Sequence, residues 1–97
     1  MLTISEISEK LKPIFENNHV KKAILFGSHV TENATDKSDI DLFIDTEDHV
    51  RGLMFYGIRS EVEDALRKKV DLIVERDIVK GSPIDFEIKH KGVVIYG

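Results

Sequence analysis

The chain lacks cysteine, any apolar run long enough to cross a bilayer, and an excess of positive charge. Without cysteine it has no disulfide, no thiolate metal site and no thiol nucleophile. Because it also lacks a basic start followed by an apolar core, we predict a cytoplasmic protein without membrane contact. Its 14 basic and 18 acidic residues give a net charge of -4, which argues against direct nucleic-acid binding.

The length and composition of the chain fit one small folded domain. The chain has 97 residues, of which 41% are hydrophobic and 33% are charged. No repeat, low-complexity segment or long linker divides it, so residues 1–97 are predicted to form a single domain. A core of this size lies near the lower limit for independent stability, and a partner surface would help it.

Two short motifs stand close together in the first half of the chain. The apolar run 23–26 ends at Gly27 and Ser28, and after ten further residues Asp39 precedes a second apolar run, 40–44, which contains Asp41. Side chains alternate along a strand, so the two carboxylates are predicted to share one face while the aliphatic residues between them enter the core.

This pairing of motifs indicates a phosphate-and-metal site. Two neighbouring carboxylates repel each other, and an Mg²⁺ ion held by their oxygens explains the pair more simply than proton uptake does. A glycine lets the backbone approach a ligand closely, and a junction from strand to helix directs free N–H groups at an anion. Either motif alone is a weak signal, because acidic residues often end strands and Gly-Ser pairs often mark loops.

The segment LFGSHVTENATDKSDIDLFID, residues 25–45, resembles the signature of the polymerase beta nucleotidyltransferase superfamily, in particular its minimal nucleotidyltransferase branch. The resemblance covers nearly the whole chain and implies an α/β (α+β) fold, with a mixed sheet of about four strands flanked by helices. Two positions depart from the pattern. Members commonly have arginine after the serine and glycine four residues past it, where this chain has His29 and Glu32.

The resemblance also implies site residues and ligands. Gly27 and Ser28 would hold the nucleotide triphosphate, and Asp39, Asp41 and Asp71 would be the catalytic, metal-binding carboxylates, with Mg²⁺ as cofactor and ATP as substrate. Minimal nucleotidyltransferases commonly pair with HEPN-domain ribonuclease toxins and transfer AMP to a toxin tyrosine. The leading hypothesis is therefore an adenylyltransferase antitoxin. Two alternatives stay open: a non-catalytic antitoxin that acts by occlusion, and the catalytic subunit of a small-molecule nucleotidyltransferase.

Periodicity supplies the remaining elements. The spacing predicts a first helix that opens on a capping box of Thr3 and Glu6, and a short helix over residues 28–33. It also predicts a long helix over 50–68, a strand over 70–75 that carries Asp71, a helix over 83–89 and a final strand over 93–96. Residues 54–56, Met-Phe-Tyr, are interpreted either as core packing or as a mobile, partner-facing surface.

Overall fold

The computed structural model describes residues 2–31, 34–35 and 38–97. Its elements are three helices, four strands and two short 3₁₀ turns, in the order α1 Ile4–Asn17, β1 Lys22–Phe26, a 3₁₀ turn Gly27–His29, β2 Ile40–Asp45, α2 Leu53–Leu66, β3 Val70–Val74, a 3₁₀ turn Glu75–Asp77, α3 Pro83–Lys91 and β4 Val93–Tyr96. None of the described helices is long and apolar enough to cross a membrane.

The four strands form one mixed sheet in the order β3-β2-β1-β4. β1 is antiparallel to both of its neighbours, whereas β2 and β3 are parallel. A parallel pair needs a long connection, and α2 provides it. The predicted mixed four-strand sheet with flanking helices is confirmed.

One face of the sheet carries the main core. Alternate residues of β2 and β3 are buried there, and α1 and α2 pack over them. The fully buried side chains include Phe15, Ile7, Leu11, Leu25, Ile40, Leu42, Ile44, Ile58, Val62 and Val74. The opposite face is only partly covered, by α3, whose Ile88 lies with Ile24 and Phe43 at a common cleft. The carboxylates of β2 stand on this second face.

The helix boundaries differ in part from those predicted. α2 is shorter than the predicted 50–68, because Gly52 and Arg67 have positive φ angles of 59° and 54° and end the helical geometry on each side. Of the predicted helix over 28–33 the structure describes residues 28–31, where it has a 3₁₀ turn, Gly27–His29, and no α-helix. Glu32, one of the two departures from the family pattern, lies outside the described residues.

The predicted capping box is present at the start of α1. The Thr3 side chain accepts a hydrogen bond from the Glu6 N–H at 3.1 Å, and the Glu6 carboxylate accepts one from the Thr3 N–H at 3.3 Å. The box satisfies two N–H groups at the start of the helix.

Replacing Thr3 by alanine is expected to lower the free energy of unfolding by about 1 kcal/mol, the usual cost of losing an N-cap side chain. Chemical denaturation measures this value. Ser5→Ala is the matched control, because Ser5 is an exposed residue of the same first turn. Equal effects of the two substitutions would contradict the capping role.

Candidate active site

The two sequence motifs meet directly in the structure. Phe26, the last residue of β1, is the register partner of Asp41 on β2, so Gly27 follows at the position beside that carboxylate. A β-carbon on Gly27 would lie 2.1 Å from Asp41 Oδ2, and the glycine has a φ of +79°. Both the space and the backbone conformation therefore require glycine here.

The parallel pairing of β2 with β3 brings the third carboxylate to the same place. Asp71 is the register partner of Asp41, and Asp39 lies two residues before Asp41 at the entry to β2. Asp41 is half-buried, whereas Asp39 and Asp71 are exposed. The buried positions of β2 are Ile40, Leu42 and Ile44, as the predicted alternation requires.

The carboxylates influence one another electrostatically. Burial raises the pKa of Asp41, and the negative charges of Asp71, Glu87 and Asp39 raise it further. Glu87 comes from α3 and was not among the predicted site residues, because no local motif connects it to β2. The charge concentrated here favours a cation.

The donor set suits Mg²⁺ that binds together with a nucleotide. Among the described residues, no group of three histidine, cysteine or acidic side chains is arranged so that it could hold a metal ion by itself. Mg²⁺ in nucleotide sites is commonly held by one or two carboxylates and completed by phosphate oxygens and waters. Asp39 and Asp41 with the phosphates would supply such a set, with Asp71 beside them; the metal and catalytic roles of these residues remain predictions.

The turn after β1 faces this carboxylate cluster. The Gly27 carbonyl accepts hydrogen bonds from the N–H groups of Val30 and Thr31, at 3.1 and 3.2 Å. These bonds close a tight turn, and the N–H groups at its start are not used within it. Gly27 and Ser28 therefore have a suitable position for contacting phosphate oxygens, which keeps their predicted role open to test.

His29 does not replace the arginine that the family commonly has here. Both of its ring nitrogens are buried and have no hydrogen-bond partner among the described residues. Burial lowers the pKa of His29, and the nearby charge of Lys68 lowers it further, so the ring is neutral at physiological pH. The positive charge in this region comes from Lys68, whose ammonium donates to the Ser38 carbonyl at 3.2 Å. Lys68, which follows the end of α2, was not among the predicted site residues.

A cleft of about 330 Å³ opens beside the carboxylates, between β3 and α2. Asp39 and Asp71 line it together with Tyr56 and Arg59 of α2. Its other lining residues are Phe55, Lys69, Val70 and Leu72. From the sequence, Tyr56 could belong either to the core or to a partner-facing surface. Its side chain is 59% exposed, so Tyr56 is not a core residue. Arg59 was not predicted as a site residue.

Comparison with known proteins places this geometry in a family. A family model described as polymerase beta nucleotidyltransferase matches residues 9–97, which include both motifs and Asp71. The chain belongs to this family. The resemblance inferred from residues 25–45 is thereby confirmed, and the nucleotidyltransferase domain extends over most of the chain.

Relatives of similar length carry a more specific description. The nucleotidyltransferase is 32% identical over 85 residues to the protein adenylyltransferase MntA of Thermococcus cleftensis, which covers 84% of this chain and 86% of that protein. It is 37% identical over 82 residues to MJ0126 of Methanocaldococcus jannaschii, a candidate protein adenylyltransferase, which covers 80% of this chain and 84% of that protein.

Solved structures have the same fold. A toxin–antitoxin structure with AMP-PNP superposes with a TM-score of 0.80 at 21% identity, covering 93% of this chain and 73% of that one. A candidate minimal nucleotidyltransferase superposes with a TM-score of 0.78 at 18% identity, and the match covers 95% of each chain. The four-strand sheet of this nucleotidyltransferase is thus the fold of those structures.

Replacing Gly27 by alanine is expected to lower the free energy of unfolding by more than about 1 kcal/mol, since the new methyl group meets Asp41 and the φ is unfavourable. Gly81→Ala is the matched control, because Gly81 has a φ of +82° but open space around its α-carbon. Denaturant titration should show the larger loss at Gly27. Equal losses would mean that the contact with Asp41 has no energetic weight.

Replacing Asp41 by asparagine is expected to stabilise the metal-free protein at neutral pH. The native-state pKa of Asp41 lies above the unfolded value of 3.8, so the native state binds more protons between the two values. Stability therefore falls as pH rises through that window, and the loss persists at neutral pH.

The measurement is unfolding in a chelator across a pH series. Asparagine has the shape of the acid without its charge. The free energy of unfolding of the variant should therefore exceed that of the wild type at neutral pH, and the two values should converge below the unfolded-state pKa of Asp41. A variant that is less stable than the wild type at neutral pH would contradict the electrostatic assignment.

Proposed function

We propose that this nucleotidyltransferase is an Mg²⁺-dependent protein adenylyltransferase that transfers AMP from ATP to a tyrosine hydroxyl of a partner HEPN toxin, and so acts in the cytoplasm as an antitoxin. The observation that carries the proposal is the contact of Gly27 with Asp41, with Asp71 in register beside it. This contact joins a phosphate-binding turn to a carboxylate cluster.

Each residue has a task in the proposed reaction. Gly27 and Ser28 orient the triphosphate, and Asp39 and Asp41 would hold an Mg²⁺ ion, whose charge would offset negative charge at the α-phosphate. Asp71 accepts the proton of the attacking hydroxyl. A new bond forms between the acceptor oxygen and the α-phosphorus, the bond from that phosphorus to the bridging oxygen breaks, and pyrophosphate leaves.

The proposed partner follows from the proteins that share the fold and sequence. The Thermococcus relative is named a protein adenylyltransferase, so its acceptor is a protein. A further structure with this fold, at a TM-score of 0.75 and 18% identity, is an MNT antitoxin in complex with a tri-AMPylated HEPN toxin of Shewanella oneidensis. These relatives support a toxin as the acceptor for this chain.

A second candidate function is neutralisation by occlusion, without AMP transfer. His29 favours it, because its neutral ring stands where the family commonly has a positive charge next to the phosphates. Against it, Asp71 stands in register beside Asp41, and the charges of Asp71 and Asp39 add to burial in raising the pKa of Asp41. A purely binding protein would have no use for that arrangement.

The two functions are separated by labelling. The protein is incubated with Mg²⁺, the product of the neighbouring gene and ATP that is labelled at either the α- or the γ-phosphate. AMP transfer places the α-label but not the γ-label on the partner, and a chelator abolishes it. The Asp39→Asn/Asp41→Asn double variant is expected to reduce labelling by at least roughly a hundredfold.

The control variant is Asp45→Asn, because Asp45 lies on the same strand and face as Asp41 but at the far end. It is expected to label the partner at the wild-type rate. If the wild type transfers no label and the double variant still neutralises the partner fully, occlusion is the correct function and AMP transfer is not.

A further inference from the structure

We propose that the acceptor protein reaches the site through the cleft between β3 and α2, as an extended segment that carries the acceptor tyrosine, and that Tyr56 and Arg59 position it. The inference rests on the proposed function, because it names the docking surface for that reaction. No family match assigns these two residues a role.

The order of the strands sets the direction of approach. The proposed phosphate-binding turn follows β1, Asp41 lies on β2 with Asp39 directly before that strand, and Asp71 lies on β3. In a displacement at phosphorus, the attacking and leaving oxygens lie roughly in line. With the triphosphate on the β1 side, the acceptor hydroxyl has to come from the β3 side, where the cleft opens next to Asp71.

The outer edge of β3 offers backbone groups to an extended segment. Among the described residues no strand pairs with this edge. The Lys69 carbonyl accepts from the Ile40 N–H at 3.0 Å, and the Val70 N–H donates outward to the Glu63 carboxylate at 3.0 Å. Backbone groups alternate along a strand, so the N–H and carbonyl of Leu72 point away from β2, on the cleft side. A free sheet edge is a recurring site for binding extended peptides.

An aromatic wall faces this edge. Phe55 and Tyr56 form an edge-to-face pair with ring centroids 5.3 Å apart and an interplanar angle of 83°. The ring of an acceptor tyrosine could pack against this pair in the same edge-to-face geometry. Leu53 and Met54, with 88% and 50% of their surfaces exposed, extend the apolar surface from the cleft onto the outside of α2.

The charges of the cleft favour an acidic neighbour of that tyrosine. Two carboxylates and two cations line the cleft. In the proposed reaction Asp39 binds the metal and Asp71 accepts a proton, so the cations Arg59 and Lys69 are the charged groups that can pair with the incoming segment. The Arg59 guanidinium lies 3.7 Å from the Glu63 carboxylate, beyond hydrogen-bond distance. A carboxylate on the incoming segment would give Arg59 a charge-assisted hydrogen bond.

A second exposed apolar surface, on α3, provides the control position for a test of the docking surface. Phe86 on α3 is 57% exposed, close to the 59% of Tyr56, and it lies against His90 with ring centroids 4.2 Å apart. The clefts on that side of the molecule contain none of the three site aspartates. A partner that delivers a hydroxyl to Asp71 should contact Tyr56 and not Phe86.

The test is photocrosslinking from these two positions. Variants Tyr56→p-benzoylphenylalanine and Phe86→p-benzoylphenylalanine are irradiated with the neighbouring-gene product, Mg²⁺ and an ATP analogue whose α and β phosphates are joined by a methylene group. The expected result is a crosslink from position 56 to the partner, next to the residue that the wild type labels. Dominant crosslinking from position 86, or from position 56 to a second copy of this chain, overturns the proposal.

Steady-state kinetics supply the second readout. Arg59→Ala is expected to raise the KM for the partner roughly tenfold while leaving the KM for ATP unchanged, because the lost hydrogen bond is to the acceptor alone. Arg51→Ala is the control, since Arg51 is exposed and pairs with Asp48 outside the cleft. Equal effects of the two substitutions, or label on Tyr56 itself when the protein is incubated alone, overturn the proposal.

The crosslinking result can be read separately from the proposed chemistry. If the wild type labels the partner but position 86 crosslinks, the function stands and the docking surface is wrong. If no label is transferred to any acceptor while position 56 crosslinks the partner, the docking surface stands and AMP transfer is wrong.

Discussion

The close approach of Gly27 to Asp41 is the contact on which the rest of the site depends. With no side chain on Gly27, the Asp41 carboxylate lies against the backbone at the point where β1 ends and the 3₁₀ turn begins. Any side chain there would displace the carboxylate, the turn, or both. The register of β1 with β2 sets where the two motifs meet.

The site is built at an electrostatic cost to the folded protein. Burial and three surrounding carboxylates disfavour the charged form of Asp41, while the His29 ring beside the turn is neutral. Lys68 brings a cation near His29, and Arg59 lines the neighbouring cleft. This arrangement is typical of a site whose charge is balanced only when a ligand binds, and it sacrifices some stability for function.

The sequence was informative where the geometry is local or periodic. Strand alternation was enough to predict that Asp41 lies opposite the buried face of β2, and the capping box at Thr3 follows from side-chain spacing alone. The position of Asp71 beside Asp41 came from family resemblance, because parallel register depends on how the α2 crossover packs. The cleft formed by Tyr56 and Arg59 was not predictable, since it joins a helix and a strand edge that share no motif.

The free edge of β3 also bears on how the protein avoids self-association. An unpaired strand edge can pair with the edge of another copy and extend the sheet from one molecule to the next. Lys69 and Asp71 place opposite charges at this edge, and the Glu63 carboxylate already occupies the Val70 N–H. The charge of Asp71, beside its proposed catalytic role, therefore discourages the sheet from growing into an aggregate.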